Sequence, residues 1–295
     1  MQPADFLSAV FFYLKVGENL NQNWIVENLN NAFSTWNGKL GELWGLVTTG
    51  PQTFKGGAVW SVMQTLHNGM VGVGYALVVL FFAISLCKNT MNFHELKRPE
   101  AAIHYFLRFV AAKTLVGYGM DIMLNVFSIC NGIVTDMADS MGGISEAMVS
   151  LPAEMQTAIE NVGFLASIPL WLVTILGSLF ITVLSFVMIL TVYGRFFRLY
   201  MYTALAPLPL AAFAGESTQS VGISFLKSYV GVCLEGAVIV LACVIYSAFV
   251  STPTVASGEA TTIVWSYLAE TVFNMLVLVG LIKGSDRIIH EMMGL

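Results

Sequence analysis

Apolar residues in this chain run in long blocks rather than in alternation. The blocks are Gly69 to Cys87, Ile103 to about Cys130, Leu165 to Tyr193, Phe225 to Val250 and Ile263 to Ile282. A half-buried strand alternates with period two and a surface helix shows a single apolar stripe. Blocks of this kind approach or exceed the roughly 20 residues needed to cross a hydrocarbon core about 30 Å thick, and so predict spanning helices. The expected fold is all-α: a polytopic helical membrane protein with about five transmembrane helices. A sixth apolar piece, Met201 to Ala214, is too short to span and is interrupted by Pro207 and Pro209. Proline removes a backbone donor and clashes with the preceding turn, so residues 199–214 are expected to form a Pro-broken re-entrant or interfacial segment.

Ahead of these blocks the pattern changes. Val26, Leu29, Phe33, Trp36, Leu40, Leu43 and Val47 recur at three- and four-residue steps, which puts one apolar stripe on a helix. Residues 1–68 are therefore read as an extracytoplasmic or interfacial amphipathic helical region, and residues 69–295 as the transmembrane bundle. The stripe suits a helix lying at the membrane interface or on its own bundle. A 3.5-residue period also suits pairing with a partner helix.

Composition strengthens the membrane reading. Of the 295 residues 57% are hydrophobic and 11% charged, with mean hydropathy +0.76. A water-soluble fold could not bury that much apolar surface. The formal net charge of −5 provides no broad positive field to hold nucleic acid. Cys87, Cys130, Cys233 and Cys243 fall in or beside apolar runs without metal-type spacing, so they read as small buried hydrophobes rather than as a disulfide framework or zinc site. The first residues lack a basic stretch ahead of the Phe6 to Leu14 apolar run, which is not the pattern of a signal peptide.

The few basic residues set an expected orientation, since short cytoplasmic connections are enriched in Lys and Arg. Lys88, Lys97 and Arg98 follow the first block, Arg195 and Arg198 the third, and Lys283 and Arg287 the last. These seven are expected to act as topology anchors on the inner side. The 131–164 connection has no Lys or Arg but carries Asp136, Asp139, Glu146, Glu154 and Glu160, and is expected outside. The N-terminus then lies outside and the C-terminus in the cytoplasm of a bacterial cell membrane. The Pro207 segment must begin and end on the inner face.

Several polar residues sit within the apolar blocks. Lys113, Gly117, Asp121 and Asn125 are spaced by four along the second, and so share a slowly drifting helical stripe. Ionisable groups at such depth cost several kcal/mol and normally face a bundle interior or a water-filled path. Thr174, Ser178, Thr182 and Ser185 form a similar stripe on the third block. With Glu235 on the fourth, these nine residues are the expected interior polar face. Depth along the helices, at about 1.5 Å per residue, suggests a Lys113–Glu235 ion pair. Separate solvation of each in a polar cavity is the alternative.

Catalytic parts are missing. There is no phosphate loop, no His-Glu-x-x-His and no Gly-x-Ser-x-Gly elbow. Gly117-Tyr-Gly-Met-Asp121 is one residue too long for the glycine–aspartate motif of intramembrane aspartyl proteases. His67, His94, His104 and His290 are scattered. The reading is a non-enzyme without catalytic residue, cofactor or metal.

The stretch from Tyr193 to Ala214, Tyr-Gly-Arg-Phe-Phe-Arg-Leu-Tyr-Met-Tyr-Thr-Ala-Leu-Ala-Pro-Leu-Pro-Leu-Ala-Ala-Phe-Ala, followed by Gly215-Glu-Ser and a long apolar block after Lys227, resembles the TrbL-type polytopic proteins of conjugative type IV secretion systems. The resemblance covers the blocks from about Gly69 to the end. It implies a translocation channel or assembly subunit for conjugative DNA transfer, in a complex with the system's ATPases and pilus or surface subunits. It also implies homo-oligomers about a pore and transient contact with the translocated DNA or protein. Two other classes fit the residues: a secondary transporter whose broken helix holds a substrate, and a non-conducting membrane scaffold.

Overall fold

A computed structural model describes residues 3–90, 99–140, 148–160, 162, 164–250 and 260–295. Among them every regular element is helical. In chain order these are α1 (Pro3–Thr48), α2 (Ala58–Thr90), α3 (Pro99–Gly117), α4 (Gly119–Ser140), α5 (Ala153–Glu160), α6 (Phe164–Leu205), α7 (Pro207–Ala211), α8 (Gln219–Val250) and α9 (Ala260–Met293). Short 3-10 turns at Phe54–Gly57 and Ala212–Ala214 precede α2 and follow α7.

Among the described residues four segments are long and apolar enough to cross a membrane: Phe54–Lys88, Ser167–Leu205, Gln219–Phe249 and Thr262–Met293. They coincide, to within two residues at the edges, with four of the five expected blocks and run on by further helical turns. The remaining block, 103–130, is divided at Tyr118 into α3 and α4, with Arg108 and Lys113 in one half and Asp121 in the other. The polytopic all-α class therefore stands, with one apolar block built from two helices.

The Pro-rich segment is resolved into two pieces. Met201–Leu205 completes α6, and Pro207 opens α7 at its first position, where the absent N–H is no loss and the fixed φ suits a helix start. Pro207, Leu210 and Ala211 are buried, and α7 packs on α2 and α3. Gly74 on α2 makes this possible. A Cβ there would lie 2.9 Å from the Pro207 carbonyl oxygen and 2.9 Å from Val116 Cγ1.

Two compact units can be distinguished. One comprises Met1–Gly45, Met141–Thr191 and Leu241–Lys283. Its core takes in the α1 stripe: Leu29, Phe33, Trp36, Leu40 and Leu43 are buried, as is Ile25 where the periodicity pointed to Val26. Aromatic contacts hold that stripe, with Phe33 edge-on to Tyr267 and Trp36 tilted against Tyr246, each pair at 6.5 Å between ring centroids. The stripe thus packs within the chain's own bundle. Asn37 adds a reciprocal pair: its Nδ2 donates to the Val149 carbonyl at 2.8 Å, and its Oδ1 accepts from the Val149 N–H at 2.9 Å. Tyr267 donates to the Ser150 carbonyl at 3.0 Å, so the strand of chain before α5 is tied down twice. Asn37→Ala is expected to lower stability by about 2 kcal/mol, two hydrogen bonds at about 1 kcal/mol each. Thermal unfolding of the detergent-solubilised variant checks this, and an unchanged midpoint would show that the pair contributes nothing.

The other unit comprises Leu46–Ser140, Val192–Val240 and Gly284–Leu295. Its apolar core includes Val78, Val116, Met123, Phe127, Leu199 and Leu210. Tyr229 is buried there and donates to the Met123 carbonyl at 2.8 Å, which lashes α8 to α4. His67 Nδ1 lies 2.7 Å from the Thr203 carbonyl oxygen, joining α2 to the end of α6.

Candidate functional site

The second unit holds a charged cluster that its apolar surroundings make costly. Arg195 and Arg198 are three residues apart on α6 and so share a face. Arg195 is 0% exposed. Its guanidinium donates from Nε to the Val232 carbonyl at 3.2 Å, from Nη2 to the Cys233 carbonyl at 3.1 Å and from Nη1 to the Val47 carbonyl at 3.4 Å. A helical carbonyl keeps a second lone pair after bonding within its helix, so α8 can accept these donors without unwinding.

Gly236 provides the room. A Cβ on it would sit 2.8 to 2.9 Å from the Arg195 guanidinium atoms, so any larger residue would push the side chain off α8.

Glu235 balances the two arginines. Its side chain is 1% exposed, and Arg198 Nη2 donates to its two oxygens at 2.8 and 2.7 Å. Ser285 Oγ on α9 donates to Glu235 Oε1 at 3.1 Å. Arg198 Nη1 also forms an ion pair with Asp286 on α9, whose carboxylate stands 3.6 Å from His290. Three helices, α6, α8 and α9, are therefore joined by one alternating array of charge. Removing one partner of such an array strands the other in low dielectric.

Several sequence expectations change here. The Lys113–Glu235 pair is not formed: both Glu235 oxygens are taken by Arg198, with Ser285 on one of them, and Lys113 is exposed. Gly117, Asp121 and Asn125 are exposed with it. The buried side of α3 and α4 is instead Ala112, Val116, Met123, Phe127 and Cys130, because apolar residues at similar helical steps form a separate, better-packing face. Lys113→Gln is accordingly expected to change the stability of the chain by no more than about 0.5 kcal/mol. A loss of several kcal/mol in thermal unfolding would restore an interior role.

The α6 hydroxyls lie where packing uses them. Thr174 and Ser185 are buried, Ser178 and Thr182 half-buried. All four donate back to their own helix, to the carbonyls of Trp171, Ile181, Ile175 and Ser178 respectively, so they present no free donor to a path.

Among the residues expected as anchors, Lys88 and Lys283 are exposed, and Arg287 is exposed and paired with Glu291 at 2.8 Å. Lys97 and Arg98 lie outside the described residues, as does Glu146. Arg195 departs most, being enclosed by protein, and Arg198 is held by two carboxylates. The signal that would have found the network was present: an Arg-x-x-Arg step in an apolar helix needs an acid at matching depth, and Glu235 is the acid within the α8 block. Pro209 lines an apolar hollow between the end of α6, α7 and the start of α8. Among the described residues no group of three or more His, Cys, Asp or Glu is placed to hold a metal ion.

No curated protein and no solved structure gives a match. The TrbL/VirB6 plasmid conjugal transfer like proteins match residues 36–207, more than half of the chain. That range runs from the buried Trp36 through Arg195 and Arg198 to Pro207 at the head of α7. With this match and its long apolar helices, the chain belongs to the TrbL/VirB6 plasmid conjugal transfer like family, as a multi-pass membrane component of conjugal transfer.

Proposed function

We propose that this chain is the membrane-spanning channel and assembly subunit of a conjugative type IV secretion apparatus. The observation that carries the proposal is the family match together with the Arg195–Arg198–Glu235–Asp286 array, which fixes α6, α8 and α9 in one register inside an apolar bundle. Ionisable groups buried among apolar helices, here Arg195 and Glu235, commonly mark paths through a membrane protein, which favours a subunit that holds a defined set of helices around one. In this reading the chain works as a homo-oligomer alongside the ATPases and the pilus or surface subunits, and touches DNA or protein in transit. Its N-terminus is extracytoplasmic and its C-terminus cytoplasmic, and the α7 segment dips in from the inner face.

Transfer of a marked element tests the role. A donor with an in-frame deletion should lose transfer at unchanged growth, and the intact gene should restore it. Undiminished transfer from the deletion strain rules the role out. Channel and scaffold separate on the water accessibility of cysteines placed at Gly117 and Ser178 in the assembled machine: a conduit wets at least one, and a scaffold keeps both dry.

A further inference from the structure

The hollow at the end of α6 is a cavity of about 440 Å³, within the roughly 300–1,000 Å³ of small-ligand sites. Met201, Tyr202 and Leu205 of α6, Leu208 of α7 and Phe225 of α8 line it, and Arg198 stands as its one charged residue. At about 30 Å³ each, roughly fifteen waters would fit, but every ordered water needs two to four polar partners and these walls offer almost none. The natural occupant is apolar along most of its length.

Access narrows the choice. The walls come from α6 and α8, both long and apolar enough to cross a membrane, and Met201 and Leu205 at the rim are 57% and 49% exposed. The apolar surface therefore continues outward from the cavity onto the lipid-facing side, and a ligand enters from the bilayer. The cavity also lies where α6 gives way at Ala206 to α7, and the ends of spanning helices meet the headgroup region.

The polar end specifies the headgroup. Of the five N–H donors of a guanidinium, Arg198 uses Nη2 on Glu235 and one Nη1 hydrogen on Asp286. Its Nε–H and second Nη1–H have no partner among the described residues. Because Glu235 and Asp286 already offset its charge, the free donors select for hydrogen-bond acceptors rather than for net negative charge. A phosphodiester oxygen fits them, as arginine presents a fork matched to phosphate.

We propose that this cavity is a phospholipid site, with an acyl chain against Met201, Leu205 and Phe225 and the phosphate accepting from Arg198. It is independent of whether the chain conducts. Native mass spectrometry of the full chain in detergent, titrated with phosphatidylglycerol, phosphatidylethanolamine or diacylglycerol, tests it. Both phospholipids should be retained at one per chain, with diacylglycerol, which lacks the phosphate, at least tenfold weaker. Leu205→Trp, which fills the cavity, should weaken both phospholipids at least tenfold. Val79→Trp, on an exposed apolar position of α2 outside the cavity, should leave them unchanged. Arg198→Lys should narrow the gap between phospholipid and diacylglycerol. If Leu205→Trp fails to fold, Leu208→Phe serves as the filler. Equal retention by wild type and filled variants, or equal binding of phospholipid and diacylglycerol, overturns the site and leaves only bulk lipid contact.

Discussion

Glu235→Gln is expected to destabilise the chain by about 3–5 kcal/mol, the range for breaking a buried ion pair from one side. Glutamine keeps the shape and one acceptor oxygen but removes the charge that two guanidinium groups share. Arg195 cannot relax toward water, being fully enclosed with its donors on the Val47, Val232 and Cys233 carbonyls. Arg198 would keep one neutral acceptor and, as its charged partner, Asp286, whose side chain is 43% exposed and whose charge is therefore partly screened. Glu235→Asp should cost less, since it keeps the charge and loses the two-oxygen grip. Arg198→Met combined with Glu235→Leu should cost clearly less than the sum of the single changes, because residues in one network are not additive. Thermal unfolding in detergent reads the stability, and transfer frequency from the donor should fall with the amount of folded chain in the membrane. A Glu235→Gln protein within about 1 kcal/mol of wild type would mean that the array carries no structural weight.

The depth of each polar residue could be read from the sequence, but its direction could not. Position along an apolar block gives depth, because helical rise is constant. Thus Glu235 was legible as a deep acid in need of a base. Which base it meets depends on which helices are neighbours, and apolar blocks without sharp stripes leave that open. Lys113 and Arg198 were equally available in sequence, and the packing of α6 on α8 chose Arg198. The basic residues also had two competing uses. An arginine at the end of an apolar block serves equally as an inner-surface anchor and as a partner for a deep acid, and Gly236 next to Glu235 offers the small-residue gap that the second use needs. By contrast the α1 stripe was legible nearly residue by residue, since a 46-residue helix with large apolar side chains at three- and four-residue steps has only one face to bury. The break between α3 and α4 was hidden because glycine on either side of Tyr118 interrupts a helix without interrupting hydrophobicity.

The second large effect is expected where α1 turns into α2. Pro51 cannot continue a helix without losing a bond, and the chain then passes through Lys55, Gly56 and Gly57 at φ of 51°, 72° and 78°. This left-handed turn drives Phe54 inward to 5% exposure. Its ring stacks on Phe196 at 4.1 Å between centroids and 13° between planes, and meets Tyr193 edge-on at 5.5 Å. Tyr200 completes the set, 6.3 Å from Phe54, and donates to the Pro51 carbonyl at 2.8 Å. The turn is thus fastened to the face of α6 that bears Phe196, the residue after Arg195. Phe54→Ala is expected to cost about 3–5 kcal/mol as the ring leaves a void among fixed aromatics, and Phe54→Leu clearly less. Loss of the ring also frees the Gly50–Gly57 link, so limited proteolysis should gain a cut there in Phe54→Ala and not in Phe54→Leu. Lys55→Gly works in the opposite direction, relieving about 1 kcal/mol of left-handed strain at a non-glycine residue, and should raise the unfolding midpoint unless the Lys55 ammonium over the Tyr193 ring, 5.3 Å from its centroid, contributes as much. If Phe54→Ala unfolds at the wild-type temperature and resists protease equally, the aromatic cluster does not hold the turn, and the order of α6 near Arg195 must come from the charge array alone.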